Sequence, residues 1–293
     1  LYYDEDLILE IRLNILDKYF DKFIICEAKY THSGRKKKLN FNINKFPEFK
    51  DKIIYLVDDR EPEGIIYENN DGKKIENPKN WRANAVKRIA KQRNKLLESI
   101  NQLADENDFI FYSDNDEIPN MEEFNKTKEN SNIIIFEQKL FYYKFNLFYD
   151  KIFWYGTRAV KKKNLIDFEW VRQIKPKKYR FFRLDTLFKR NKYINLKIIK
   201  NGGWHFTRVL TPEEIHVKEL DAEHHDEYRA SNKNPNKIRD LIKKRMIDHD
   251  HFADTKKSKY GKEFKLKIFN FEDLPEYIKN NKEKYQDYLD LDY

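Results

Sequence analysis

The run Ser113-Asp114-Asn115-Asp116-Glu117-Ile118-Pro119 concentrates the chemistry of this chain. It follows Asp108-Phe109-Ile110-Phe111-Tyr112, which reads as a short buried strand. Carboxylates set side by side at the end of an apolar strand repel one another, and burial adds a desolvation cost. A divalent cation relieves that repulsion, and hard cations favour oxygen ligands. In an extended segment, positions two apart point the same way, so Asp114 and Asp116 are expected to reach one ion or its water. Pro119 is expected to stop the strand. The simplest chemistry for such a site is Mg²⁺ or Mn²⁺ holding a diphosphate. On the triplet alone, a solvated strand end with ordinary turn carboxylates is an even alternative.

Several elements must position this run. Ile8, Ile11, Ile15 and Tyr19 recur at helical spacing, which predicts a helix over residues 4–20. Phe23-Ile24-Ile25-Cys26 reads as a buried strand ending at Glu27, and Ile53 to Val57 as another, ending in Asp58-Asp59. Residues 60–79 mix Pro, Gly, Asn and charge and read as an exposed loop. Trp81, Ala85, Ile89, Leu96, Ile100 and Leu103 mark one face of a long helix over about 81–105, with Arg82, Lys87, Arg88, Lys91 and Lys95 on its polar side. This order fits an α/β layer with a mostly parallel sheet, in which ligands sit outside the carboxyl ends of strands. Glu27, Asp58 and Asp114 are therefore expected to border one crevice.

The segment from Ile133 to Trp154 is dense in aromatic residues and predicts two or more β segments, partly antiparallel. Residues 160–200 alternate basic and apolar types without assigning an element. Asn201-Gly202-Gly203-Trp204-His205 reads as a tight turn or close approach. Thr211-Pro212-Glu213-Glu214 carries the signals of a helix start. Helices near 233–247 and 273–288 complete the reading. One domain over 1–293 is expected, with a nucleotide-binding half of about 1–130 and an acceptor-side half of about 131–293.

Composition narrows the function classes. The chain has 293 residues, of which 15% are aromatic, enough for a substantial core and contrary to disorder. Lys+Arg 59 against Asp+Glu 50 gives a net charge of +9, but both signs are interspersed, so no dedicated nucleic-acid arm stands out. The single cysteine, Cys26, excludes an intramolecular disulfide framework and a cysteine-based zinc site. No apolar run of about 18 residues and no signal peptide is evident, so the expectation is a cytoplasmic chain without a membrane span.

With these pieces in place, the chain resembles glycosyltransferase family 17. The resemblance runs from about Asp4 to Tyr293. It is carried by Glu5-Asp6-Leu7-x-Leu9-Glu10-x-Arg12-Leu13, by Cys26-Glu27-Ala28 with Thr31-His32-Ser33-Gly34, and by Gln92-Arg93-Asn94. Ser113 to Pro119, Trp154-Tyr155-Gly156-Thr157, and Gly202-Gly203-Trp204-His205-Phe206 with Pro212-Glu213 and Lys218 complete it. The resemblance implies a GT-A-type, Rossmann-like mixed sheet flanked by helices, with an aromatic-rich antiparallel acceptor side. It also implies an inverting N-acetylglucosaminyltransferase that uses UDP-GlcNAc, Mn²⁺ or Mg²⁺ and a glycan acceptor, and forms a β linkage.

Under that resemblance the residues take roles. Asp114 and Asp116 become metal ligands, and Glu117 orients the site or touches the transferred sugar. Arg93 and Asn94 face the diphosphate or nucleotide, Glu27 accepts hydrogen bonds from uracil or ribose, and Thr31, Ser33 and Gly34 form a turn near the ligand. Lys218 pairs with the diphosphate, and Trp204 and Trp154 stack on sugar faces. Glu213 is the candidate general base, since a helix amino terminus favours the ionised carboxylate. Glu214, Asp226 and Glu227 are its rivals. His205, His224 and His225 compete as a further metal ligand. Each has a plainer reading as a cap, a surface charge or a core side chain. Two other function classes are a metal-dependent nuclease or phosphatase and a basic nucleic-acid-binding module. Neither uses the Trp-Tyr-Gly-Thr or Gly-Trp-His-Phe elements.

Overall fold

The computed structural model describes residues 1–291 apart from 71–72, 128–130, 132, 178, 180–191, 194 and 254–258. Helix α1 (Asp6–Leu16) buries Ile8, Leu9, Ile11, Leu13 and Leu16, then tightens into a 3₁₀ turn at Asp17–Tyr19, short of the expected end at 20. Strand β1 (Phe23–Ala28) pairs in parallel with β2 (Ile53–Asp58), Phe23 lying opposite Ile53 and Ala28 opposite Asp58. The stretch read as loop carries a small hairpin of β3 (Glu68–Asn70) and β4 (Lys73–Ile75).

The long helix is two. Helix α2 (Trp81–Lys95) is followed, after a turn at Leu96, by α3 (Leu97–Leu103). The packed face includes polar residues as well as Ala85 and Ile89: Asn84, Arg88 and Gln92 are buried. Arg88, expected on the solvent side, is enclosed by Glu61 and Glu76.

Strand β5 (Phe109–Tyr112) leads through a turn to β6 (Glu117–Pro119) and helix α4 (Met121–Lys126). The aromatic block forms the long antiparallel pair β7 (Ile133–Tyr142) and β8 (Leu147–Lys161). Helix α5 (Phe168–Gln173) and β9 (Leu196–Ile199) follow; the rest of the 160–200 stretch lies partly outside the described residues. Strand β10 (Gly203–Thr207) runs parallel to β7 and antiparallel to β6. Helix α6 (Pro212–Asp221) starts where the sequence signals it, with a capping box between Thr211 and Glu214. Helices α7 (His225–Ala230) and α8 (Pro235–Lys243), strands β11 (Met246–His249), β12 (Tyr260–Lys265) and β13 (Lys267–Ile268), and the short helix α9 (Glu276–Asn280) complete the described chain.

The result is mixed α/β, with one departure from expectation. The main sheet is not mostly parallel. It has seven strands in the order β13-β8-β7-β10-β6, with β5 on β8 and β9 on β7, and most of its pairs are antiparallel. The cause is local: β7 and β8 are joined by a tight connection in which Tyr143 takes a left-handed φ of 66°, so the longest apolar strands fold back on each other. Phe136, Phe141, Phe145 and Phe206 are fully buried between this sheet and α1 and α9. Each such side chain stabilises the fold by roughly 1.5–3 kcal/mol.

Candidate active site

The acidic run is a turn rather than an extended segment. Glu117 N donates to Asp114 O at 3.1 Å, and Asp114 N donates to Glu117 Oε2 at 3.1 Å. Pro119 is the last residue of β6, so a strand does stop there, although it is this second short strand and not β5, which ends at Tyr112. The turn still presents Asp114, Asp116 and Glu117 to one cavity of about 270 Å³ at the carboxyl ends of β1 and β5. Thr31 and His32 beyond β1, Arg93 on α2, Trp154 on β8, His205 on β10 and Lys218 on α6 line the same cavity.

The carboxylates have separate partners. Asp114 accepts from Tyr112 Oη at 2.9 Å and from Arg172 at 3.0 Å. Burial alone would raise the Asp114 carboxyl, but Arg172 and Arg93 outweigh it and hold it well below the usual range. Glu117 is fully buried and accepts from Trp154 Nε1 at 2.7 Å and from Arg172 at 2.9 Å. Arg12 donates to the Glu117 main-chain oxygen. Burial lowers its guanidinium to about 10, against the pull of Glu117, Asp116 and Asp114. Asp116 lies 3.3 Å from His205 Nε2. Burial disfavours the imidazolium, yet Asp116 raises the His205 pKa overall, and the same ion pair holds Asp116 low against burial. The His205 ring packs on Trp154, with centroids 4.8 Å apart. Lys218 pairs with buried Glu5 at 2.6 Å; burial opposes its charge, and Glu5 and Asp116 restore it.

Arginine therefore does part of what a metal was expected to do, because Arg172 bridges Asp114 and Glu117 directly. Among the described residues, no three or more His, Cys, Asp or Glu side chains converge as a metal cage. Asp116 and His205 nevertheless place a carboxylate oxygen and an imidazole nitrogen together at the cavity wall. Two such donors are of the types that Mg²⁺ or Mn²⁺ accepts, and they would hold such an ion only in part.

Other residues named from the sequence sit elsewhere. Glu27 is fully buried and saturated: it accepts from Lys37, from Asn40 N at 2.8 Å, from Phe41 N at 3.0 Å and from Tyr55 Oη at 2.8 Å. It ties down the loop after β1 and has no lone pair turned to a nucleotide. Gly34 has φ +91°, and a Cβ there would lie 2.6 Å from Glu76 Oε1, so packing against the Arg88–Glu76 pair demands glycine. Asn94 Oδ1 accepts from Phe168 N at 3.0 Å and Glu169 N at 3.2 Å, so it holds the start of α5. Trp204 alternates with His205 along β10 and packs into the core on the opposite face. Trp154 is the tryptophan at the cavity.

Glu213 lies on the first turn of α6, exposed and paired with Arg239 at 2.5 Å, and does not line the cavity. Its rivals are also engaged elsewhere: Glu214 in the capping box, Asp226 and Glu227 with Arg82. His225 is buried, with Nδ1 2.9 Å from Ala222 O and its ring against Trp81. His224 lies between Glu227 and Lys259, outside the cavity lining.

Sequence reasoning missed Arg172 altogether. It sits on a six-residue helix with no motif of its own. A trace of it was legible in Gln92-Arg93-Asn94, whose side chains brace three elements. Gln92 Nε2 donates to Cys26 O at 3.0 Å, Arg93 reaches Tyr112 Oη and Glu169, and Asn94 caps α5. Tyr3, His32 and Asp221 at the cavity were also unassigned; Asp221 accepts from Tyr3 Oη at 2.5 Å and from Arg35.

The model of the family described as glycosyltransferase family 17 matches residues 1–290. No curated protein and no solved structure matches the chain.

Proposed function

Because the chain belongs to glycosyltransferase family 17, we propose that the cavity at the acidic turn binds a nucleotide sugar and delivers its glycosyl group to a glycan hydroxyl. The donor we assign is UDP-GlcNAc, with inversion to a β linkage in a single GT-A-type domain. The observation that carries this reading is the meeting of Asp116, His205, Arg93 and Lys218 on one cavity of about 270 Å³.

The chain's own groups divide the work. Lys218 and Arg93 supply positive charge to the diphosphate, Lys218 as a point charge and Arg93 as a planar fork. Trp154, held by Glu117 and overlain by Arg172 at 5.8 Å, offers an apolar face to a sugar ring. Asp116 and His205 would hold a divalent cation, which when bound supplies charge neutralisation for the departing nucleoside diphosphate. The base role passes from Glu213 to Glu223, which lines the cavity. Among the described residues its one ion-pair neighbour is His224, at 3.9 Å, and burial holds that imidazole below its ordinary pKa, so it brings no lasting positive charge to Glu223. An inverting transfer needs one carboxylate free to take the acceptor proton, and the other cavity carboxylates are held in shorter ion pairs.

The test is hydrolysis of a panel of UDP-sugars with and without Mn²⁺, using the parent chain and Asp116→Asn. The parent should consume UDP-GlcNAc in a Mn²⁺-dependent manner and the variant should not. Indifference to every UDP-sugar, with cleavage of a nucleic acid or phosphate ester instead, would overturn the reading.

A further inference from the structure

His32 lines the acidic cavity, and its neighbours hold the imidazole in one tautomer. A carbonyl oxygen only accepts, so Gln92 turns its amide nitrogen to Cys26 O, at 3.0 Å. That leaves Gln92 Oε1 facing His32 Nε2 at 3.3 Å, and Nε2 must carry the ring hydrogen. In a neutral imidazole the other nitrogen, Nδ1, then keeps its lone pair. Burial pushes the His32 pKa below its ordinary value, so the ring is neutral at pH 7. Nδ1 has no hydrogen-bond partner among the described residues. The ring thus brings to the cavity one unused acceptor and no unused donor.

The turn that carries His32 is fixed on three sides. Arg88 Nη1 donates to His32 O at 3.3 Å, Gly34 N to Thr31 O at 2.9 Å, and Ser33 N to Asp221 O at 3.2 Å. Its place in the cavity is also defined. Trp154, His205 and Asp116 come from the seven-stranded sheet and the acidic turn. Ala28, Tyr30, His32 and Ile89 come from β1, the loop after it and α2. With the sugar face and the cation assigned to the first group and the diphosphate to Lys218 and Arg93, the base falls to the second, where Ala28 and Ile89 are apolar.

We propose that His32 reads the nucleobase, with Nδ1 accepting the N3–H of uracil, and that this contact makes the site select uridine over cytidine diphosphates. Uracil presents N3–H between two carbonyl oxygens. Cytosine presents a bare N3, whose lone pair would meet the lone pair of Nδ1. A site built to bond a ligand N–H strongly rejects the analogue that lacks it, because the buried acceptor is then left unpaired. The role expected of Glu27, whose oxygens are all taken, thus falls to the loop beyond β1. This inference rests on the nucleotide-sugar reading and adds to it the group that chooses the base.

The test is calorimetric titration of the 293-residue chain and of His32→Phe with UDP, CDP and N3-methyl-UDP, all in the presence of Mn²⁺. The parent should bind UDP about tenfold or more tighter than the other two. His32→Phe should bind UDP more weakly and all three alike. Equal affinity of the parent for UDP and N3-methyl-UDP, or a preference for UDP that survives in His32→Phe, would overturn the proposal. Gln92→Leu keeps the imidazole but frees its tautomer, so Nδ1–H can meet cytosine and the preference for UDP over CDP should shrink. An unchanged preference in that variant would refute the fixed acceptor. A parent chain that binds no nucleoside diphosphate would sink the glycosyl-transfer reading and the proposal together, whereas one that binds all three equally sinks the proposal alone.

Discussion

Replacing Arg172 by alanine removes the side chain that touches both Asp114 and Glu117. The guanidinium lies 3.0 Å from Asp114 Oδ2 and 2.9 Å from Glu117 Oε1, donates to Gly156 O at 3.2 Å, and covers the Trp154 ring at 5.8 Å. Removing one partner of a buried ion pair costs about 3–5 kcal/mol, mostly because the other charge stays behind. Residual partners moderate the loss here. Glu117 keeps Trp154 Nε1 and Asp114 N, and Asp114 keeps Tyr112 Oη. The expected loss is therefore near the lower bound, about 3 kcal/mol at pH 7. At 2–4 °C per kcal/mol for a chain of this size, the thermal midpoint should fall by about 6–12 °C. The pH dependence is the sharper test. In the parent, Asp114 is depressed below its unfolded value of about 3.9, so its contribution is present above pH 4 and is lost only as pH falls through the folded value. Without Arg172 its carboxyl rises and takes up a proton sooner. The gap between variant and parent should then narrow from pH 7 to pH 5. Urea unfolding at the two pH values measures it. A loss under about 1 kcal/mol at pH 7, or one that does not change with pH, would refute the bridging role.

Two further outcomes follow from residues that left the site. Glu27→Gln replaces an acceptor by a group half of which is a donor, facing Lys37, Asn40 N, Phe41 N and Tyr55 Oη. Thermal denaturation should show a loss of about 2–4 kcal/mol, and parental stability would refute the anchoring. Gly34→Ala forces a Cβ into a left-handed backbone and to 2.6 Å from Glu76 Oε1. A loss of about 1–3 kcal/mol in denaturant unfolding is expected, and no measurable change would mean that the loop relaxes freely.

Local signals were legible; long-range ones were not. The start of α6 was readable because Thr211, Pro212 and Glu214 are neighbours whose geometry needs nothing else. The aromatic β7–β8 pair was readable from density of large side chains within one stretch. Arg172 was not, because its place depends on Asn94 and Asp167 fixing the start of a short helix against α2. Glu27 misled because its donors come from Lys37, Asn40, Phe41 and Tyr55, all distant from it along the chain. Glu213 misled for a geometric reason. The helix does start where the sequence placed it, but it is the carboxyl end of α6, with Lys218 and Asp221 on it and Glu223 just beyond, that meets the cavity. Ten helical residues place the amino end about 15 Å away.

The two aspartates were read as an equivalent pair, and their partners make them different. Asp114 is tied to Tyr112 and Arg172, both of which belong to the packed layer beneath the cavity. A ligand could take its carboxylate only by breaking a bridge that also holds Glu117, and through Glu117 the Trp154 ring. Asp116 has His205 as its ion partner, and the imidazole can give up its proton to bind a metal, which a guanidinium cannot. Losing Asp114 should therefore disturb the shape of the site as well as its charge, whereas losing Asp116 should remove ligand chemistry from a site that keeps its walls. On the proposed reading, the spacing that suggested one ion between two equal ligands becomes one carboxylate committed to Arg172 and one paired with a histidine. Only the second has a partner whose protonation could trade places with a cation.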